Sequence, residues 1–234
     1  MTRIVVSGAE GRMGRRITEL ARKNPEFEVV AGLELKANPG LNIVSGLNDI
    51  KVDYDCIIEF TTPEATLKHL KAAEKAKKGM VIGTTGFSEE EFGAIKKASG
   101  AIPVIFSPNM SVSVNLLFSL IKKSAGILAA PYSVRIKETH HVHKKDKPSG
   151  TARAMADIVR ENSSKTDVPV EAVREGEVVG EHEIIFESGE DVLRISHSAK
   201  TRDIFALGAL KAAGFLAKKK KGLFSMSDVL GLKE

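Results

Sequence analysis

The chain contains no tryptophan, two tyrosines and one cysteine among 234 residues. So few aromatic rings leave little on which unpaired bases could stack, so nucleic acid is not an expected partner. This holds although a formal net charge of +5 and a pI of about 9.2 favour anionic ligands in general. The lone cysteine, Cys56, permits neither an intrachain disulfide nor a thiolate metal cluster. No apolar run approaches the roughly 18 residues that a membrane span needs. Met1-Thr2-Arg3 leads straight into an apolar strand without a hydrophobic leader or cleavage site. These absences predict a cytoplasmic protein with no membrane partner. The densest charge run, lysines 218 to 221, reads as the solvated end of a helix.

What is present is ordinary globular composition, 42% hydrophobic and 28% charged, enough for one large domain or two modest ones. In the first half, apolar strands alternate with helical patterns. Residues 3–7 read as a strand, 13–23 as a helix, 28–33 as a strand and 55–60 as another. Pro63 opens an Ala/Lys-rich helix, residues 80–82 form a strand, Ser88 with Glu91 caps a further helix, and 103–106 close the series. Such alternation predicts a parallel sheet with helices on both faces. The texture changes near residue 110. Residues 112–128 form a long apolar helix, 132–139 alternate like a half-exposed strand, and a helix begins at Pro148-Ser149-Gly150. Residues 163–182 read as polar and irregular, 183–186 and 192–197 as a hairpin, and 204–217 as an apolar helix that returns to the first domain. The domain reading is therefore 1–110 completed by 203–234, with 111–202 as a second, α+β domain.

Gly8-Ala9-Glu10-Gly11-Arg12-Met13-Gly14 follows the first strand and opens the first helix. Glycines at G-x-x-G-x-x-G allow a tight turn and close approach to a pyrophosphate, whose charge the helix N-terminus would face. Glu34 ends the second strand 20 residues past Gly14, where a carboxylate accepts hydrogen bonds from adenosine ribose hydroxyls. The class is thus a Rossmann-like doubly wound α/β domain that binds a dinucleotide. Later strand ends bring Thr61-Thr62, Gly83-Thr84-Thr85-Gly86 and Ser107-Pro108-Asn109-Met110 to the same sheet edge. Their small polar groups suit a nicotinamide ribose and carboxamide, and ordinary turn chemistry accounts equally well for each taken singly.

The segment from Glu138 to Thr151 carries three of the six histidines, His140, His141 and His143, beside Lys144, Lys145 and Lys147. One reading is an anion site: imidazoles and ammonium groups bind carboxylates and deliver protons, and the helix starting at Ser149 offers backbone amides to a second carboxylate. Another is a metal site, with His141 and His143 on one strand face. The lysines would repel a cation, and no cysteine or acidic partner is placed to complete the shell, so no metal is expected. A solvated loop is the third.

Together these motifs resemble the dihydrodipicolinate reductase family. The resemblance covers most of the chain through GAEGRMG, EFTTPEA, GTTG, SPNMSVSVN, ETHHVHKKDKPSGTA, REGEVVGEHEIIF, TRDIFALGALKAAGFL and GLFSMSDVLGL. The histidine–lysine string is its specific part. It implies an NADH- and/or NADPH-dependent reduction of a small cyclic imine dicarboxylate in lysine and diaminopimelate synthesis. His140 would be proton donor or acceptor and Lys144 a proton donor, with His141, Ser149, Gly150 and Thr151 on the substrate. Gly8, Ala9, Glu10, Gly11, Arg12 and Met13 would wrap the pyrophosphate, and Glu34 the adenosine ribose. Gly83, Thr84, Thr85, Ser107, Pro108, Asn109 and Met110 would hold the nicotinamide end. The resemblance also implies a homotetramer assembled through the second domain's sheet.

Two departures bear on the cofactor. Many members place an arginine directly after the ribose-binding acid to hold a 2′-phosphate, whereas Leu35 follows Glu34 here and Lys36 comes next, so NADH use is expected, beside NADPH or alone. The stretch 35–51 is also short for the family. An aspartate-semialdehyde-type dehydrogenase would need a cysteine nucleophile, and Cys56 lies within an apolar strand. A non-catalytic nucleotide-binding regulator acting on DNA would tolerate loss of His140 and Lys144.

Overall fold

Strands that are apolar almost throughout must be covered on both faces, and helices on a parallel sheet do that. The computed structural model describes residues 1–128 and 131–232. It divides into two compact units, Met1–Val112 with the segment from Asp203, and Ser113–Arg202. In chain order the strands are β1 (Thr2–Ser7), β2 (Phe27–Leu33), β3 (Ile43–Val44), β4 (Cys56–Glu59), β5 (Gly79–Ile82), β6 (Pro103–Phe106), β7 (Ser133–His140), β8 (Val170–Arg174), β9 (Glu181–Glu187), β10 (Val192–Ser198) and β11 (Gly222–Phe224). The helices are α1 (Arg12–Arg22), α2 (Pro63–Ala76), α3 (Glu89–Ala98), α4 (Val112–Leu128), α5 (Gly150–Asn162), α6 (Asp203–Leu216) and α7 (Met226–Leu230).

The first unit is a seven-stranded parallel sheet ordered β11-β6-β5-β4-β1-β2-β3. Its six strands β1 to β6 follow the doubly wound dinucleotide-binding order, with β11 added at one edge, and the strand order reverses between β1 and β4. The two-residue periodicity of each strand feeds two cores. Ile4, Val6, Cys56 and Ile58 pack with Ile17 of α1 and with Ala206, Ala209 and Ala213 of α6. Val5, Ile57, Met80 and Ile82 pack with Leu70 of α2 and Ile95 of α3. Helix starts follow the local chemistry. Thr62 caps α2 by accepting from the Ala65 amide, and Ser88 and Glu91 form a reciprocal capping box on α3. Cys56 is fully buried and burial pushes its thiol up to about 12, so it supplies no thiolate nucleophile. Among the described residues no helix is long and apolar enough to cross a membrane.

The second unit is a mixed sheet ordered β10-β9-β7-β8, with β7 parallel to β8 and antiparallel to β9. Helices α4 and α5 cover one face, packing Leu117, Ile121, Met155 and Val159 on Val134, Ile136, Ile184 and Phe186. Strand β8 corrects the reading of 163–182 as irregular. Its Val-Glu-Ala-Val-Arg sequence is only half buried, and tertiary pairing along β7 holds it extended despite a polar surround. The short edge strands β3 and β11 also go beyond the sequence pattern. Lysines 218 to 221 are exposed after the end of α6, and Lys219 lies over the rings of Phe215 and Phe224.

Candidate active site

The glycine turn between β1 and α1 has the shape an anion requires. Gly8 has φ +71°, and a Cβ there would stand 2.7 Å from the Phe60 carbonyl oxygen. A Cβ at Gly14 would lie 2.0 Å from the Gly8 carbonyl oxygen, so only glycine lets α1 start this close to the strand end. Gly11 is the N-cap of α1 and gives it no side-chain cap, which leaves the first-turn amides without a side-chain partner. Glu34, just beyond β2, accepts from the Glu10 amide at 2.8 Å and so borders the same turn. Ala9, Arg12 and Met13 complete it. Leu35 is 95% exposed beside Glu34, and Lys36 is also exposed. These residues fit a dinucleotide.

The remaining residues expected at the cofactor divide by how their side chains are used. Gly83 lies against the Phe60 ring, where a Cβ would come within 2.3 Å. The Thr84 hydroxyl is buried, accepting from the Thr61 amide at 3.0 Å and meeting the Thr66 hydroxyl at 3.1 Å, while Thr85 is exposed. The Ser107 hydroxyl donates to the Asn109 carbonyl at 2.7 Å, and the Asn109 side-chain oxygen accepts from the Ser111 amide. Pro108 is exposed, and Met110 is a core residue. Sequence reasoning passed over Glu59. This fully buried carboxylate accepts from the Ser7 hydroxyl at 3.1 Å and from the Thr61 hydroxyl, and its other oxygen lies 2.8 Å from His69 Nδ1. It joins the ends of β1 and β4 to α2 where the strand order reverses.

In the second unit the helix-covered face changes character along the strands. Val134 and Ile136 of β7 are followed on the same face by Glu138 and His140. On β9, Ile184 and Phe186 are preceded by His182, which is the cross-strand partner of Glu138, and His197 of β10 is the partner of His182. One end of an apolar face is thus a polar cluster. Glu138 is fully buried. Its Oε2 meets His140 Nδ1, and its Oε1 accepts from Arg174 at 3.0 Å and from the Ser149 amide at 3.2 Å. Arg174 comes from β8 and also donates to the Lys144 carbonyl oxygen at 3.3 Å. The Ser149 hydroxyl caps α5 by accepting from the Ala152 amide and lies 3.2 Å from His182 Nε2.

Burial holds the His140 imidazole below the ordinary range, opposed by the adjacent Glu138 carboxylate. Burial takes His182 down to about 3, helped by His140, His197 and Lys144. Both rings are therefore neutral near neutral pH. Lys144 Nζ pairs with Asp146 at 2.7 Å. Burial raises the Asp146 carboxyl, but its bonds with Lys144 and with the Gly150 backbone outweigh that and set it below the usual range. Gly150 is exposed and Thr151 half-buried at the start of α5.

His141 lies past the end of β7, with Arg202 Nη2 3.4 Å from its Nε2, and His143 sits in the turn that follows. This corrects the reading of these two rings as neighbours on a strand face. Glu138, His140 and His182 present potential ligand atoms within 4.8 Å of one another, a set that includes neither His141 nor His143. Arg174 on the same carboxylate opposes a cation there. Glu138, Arg174, His182, His197 and Arg202 are the residues that motif reading overlooked. The period-two continuation of β7 was the available signal for Glu138.

The descriptions "Dihydrodipicolinate reductase, N-terminus" and "Dihydrodipicolinate reductase, C-terminus" match residues 2–110 and 113–230. The chain belongs to the dihydrodipicolinate reductase family. It is 40% identical to the 4-hydroxy-tetrahydrodipicolinate reductase of Caldanaerobacter subterraneus, with 98% of each chain covered, and 37% identical to that of Desulfotalea psychrophila, with 100% of each covered. A dipicolinate-bound dihydrodipicolinate reductase from Paenisporosarcina sp. TG-14 shares the fold, with a TM-score of 0.82 at 23% identity over 96% of this chain and 97% of that one. Membership makes the chain an oxidoreductase of lysine and diaminopimelate synthesis, with a Rossmann-like domain for a nicotinamide cofactor.

Proposed function

We propose that the chain reduces 4-hydroxy-tetrahydrodipicolinate, by way of dihydrodipicolinate, to tetrahydrodipicolinate, with His140 and Lys144 as the proton-handling groups. The observation that carries this reading is the polar end of the β7–β9 face. It joins a carboxylate-bound imidazole, an ammonium group and the first turn of α5 within one histidine–lysine segment. A nicotinamide cofactor supplies the hydride when bound. Gly8 to Met13 and Glu34 would hold its pyrophosphate and adenosine ribose, and Gly83 to Thr85 with Ser107 to Met110 would border its nicotinamide end through backbone and small polar groups.

After reduction the electron-rich substrate must take up a proton, which the Lys144 side chain delivers, or His140 in the fraction of molecules in which its ring is protonated. Lys144, His141 and the Ser149-Gly150-Thr151 turn fix the two carboxylates and so orient the ring. Lys144 and the α5 N-terminus already hold one carboxylate, that of Asp146, which supports a carboxylate as their ligand. The exposed Leu35 beside Glu34 supports NADH use, with or without NADPH. A cytoplasmic location and a homotetramer formed through the outer face of the second unit's sheet belong to the same proposal. So do the domain roles, with dinucleotide binding in 1–110 plus 203–234 and substrate binding in 111–202.

The test couples pyruvate and aspartate semialdehyde through the preceding synthase and follows loss of reduced nicotinamide absorbance with NADH and with NADPH. Oxidation that depends on the synthase product is the expected result, with a higher kcat/KM for NADH. Absence of oxidation with both cofactors, from folded protein that binds nucleotide, would overturn the substrate assignment.

A further inference from the structure

We propose that Glu138 is a positioning residue, which holds His140 with its proton on Nδ1 so that Nε2 is the atom that exchanges protons. The proposal rests on the reaction assigned above and deepens it. Glu138 and His140 stand two residues apart on β7 and share the helix-covered face, so the strand's own pleat brings carboxylate and imidazole together.

The donor count around Glu138 decides the tautomer. A carboxylate only accepts hydrogen bonds, and Oε1 already receives them from Arg174 at 3.0 Å and from the Ser149 amide at 3.2 Å. Both donors take Oε1, which leaves Oε2 as the acceptor facing the ring, so the nitrogen that meets it carries the hydrogen. Arg174 is itself fixed, since its Nη1 also donates to the Val173 carbonyl at 2.6 Å and its Nε to the Lys144 carbonyl. Rotating Glu138 away would therefore break its ion pair with a partly buried Arg174.

The opposite side of the ring is arranged differently. A Cβ built on Gly180 would lie 3.0 Å from His140 Nε2 and 3.3 Å from its Cδ2, so glycine leaves this nitrogen room that any larger residue would fill. His182 meets the ring edge-on with centroids 5.0 Å apart. The charged and titratable groups facing His140 are Glu138 on its own strand, Arg174 from β8, His182 from β9 and Lys144 from the following loop. Among them only Glu138 stabilises the imidazolium. In the step itself the Nε2–H bond breaks, the substrate gains the proton, and a neutral ring with Nδ1–H remains. Solvent restores the Nε2 proton.

Two measurements test this. In 15N-histidine-labelled wild-type protein without substrate, His140 assigned by a His140→Gln comparison should show the Nδ1–H tautomer at neutral pH; an Nε2–H tautomer would overturn the proposal. In Glu138→Gln, kcat should fall about 10- to 100-fold while nucleotide affinity is unchanged. The alkaline limb of the kcat profile should also move to lower pH, because the imidazolium has lost its counter-charge. Wild-type kcat with an unmoved limb would refute the role. Should that variant fail to fold, the wild-type tautomer alone decides. Because that reading needs no substrate, a wild-type enzyme that turns nothing over defeats the assigned reaction while the pairing is still judged by the NMR result.

Discussion

Three imidazoles of the second unit, two of them buried and His197 partly so, all resist protonation. His140, His182 and His197 all lie below the ordinary histidine range because burial disfavours the charged ring. The unfolded chain binds protons that the folded chain refuses, so stability falls as pH drops below about 6.5, and for His182 continues to fall toward about 3. Unfolding free energies from urea titrations at about pH 7 and about pH 4.5 should differ by on the order of 3 kcal/mol, and His182→Gln should reduce that difference. A flat profile in wild type would show that the rings are hydrated and chargeable in place. Lys144 works in the other sense, as a cation held ready. Lys144→Ala should lower kcat by about 100-fold or more and leave NADH affinity, read by fluorescence titration, unaltered. Comparable losses in both would point to a structural lysine. Asp146 offers Lys144 and the start of α5 an internal carboxylate, so Asp146→Asn should weaken this competition and lower the KM for the dicarboxylate; a raised KM would instead make Asp146 part of the binding frame.

At the scale of elements, close packing decides where glycine is obligatory. Gly208 of α6 faces Met110 so closely that a Cβ would stand 1.7 Å from its carbonyl oxygen. Gly208→Ala should therefore push α6 off the sheet and cost more than about 2 kcal/mol, read as a lower Tm, with nucleotide binding falling in parallel. A Tm equal to wild type would mean that the helix slides without loss. The same helix was legible in advance, because its apolar run is long and uninterrupted. So was every strand whose burial makes it apolar throughout, and the capped starts of α2 and α3. Strand β8 was not, because an edge strand with Glu171 and Arg174 has no periodicity apart from its neighbour. The cost of missing it was Arg174, and with it the fixing of Glu138. His140 and Lys144 could be found by their density in sequence. His182 and His197 could not, because only the register of β7, β9 and β10 makes them neighbours of Glu138.

For the molecule as a whole, the outward face of the second sheet carries Ser133, Arg135 and Lys137 of β7, and on β10 it exposes Val192 at 45%. Light scattering on the purified chain should give a mass near four times 25.2 kDa, and Val192→Asp should lower it. A monomer mass for wild type would remove the tetramer from the proposal.

The first unit is also discontinuous in the chain. The helix that covers one face of its sheet, and its edge strand β11, are both encoded after Arg202, whereas residues 113–202 lie in one stretch. During synthesis the ribosome therefore releases everything the second unit needs before the first can be finished. Until α6 emerges, Ile4, Val6, Cys56 and Ile58 have α1 beside them but lack the rest of the surface they are buried against. The nascent chain spends that interval with half a nucleotide fold open to chaperones, and truncation before Asp203 should yield an aggregating first unit rather than a smaller native one.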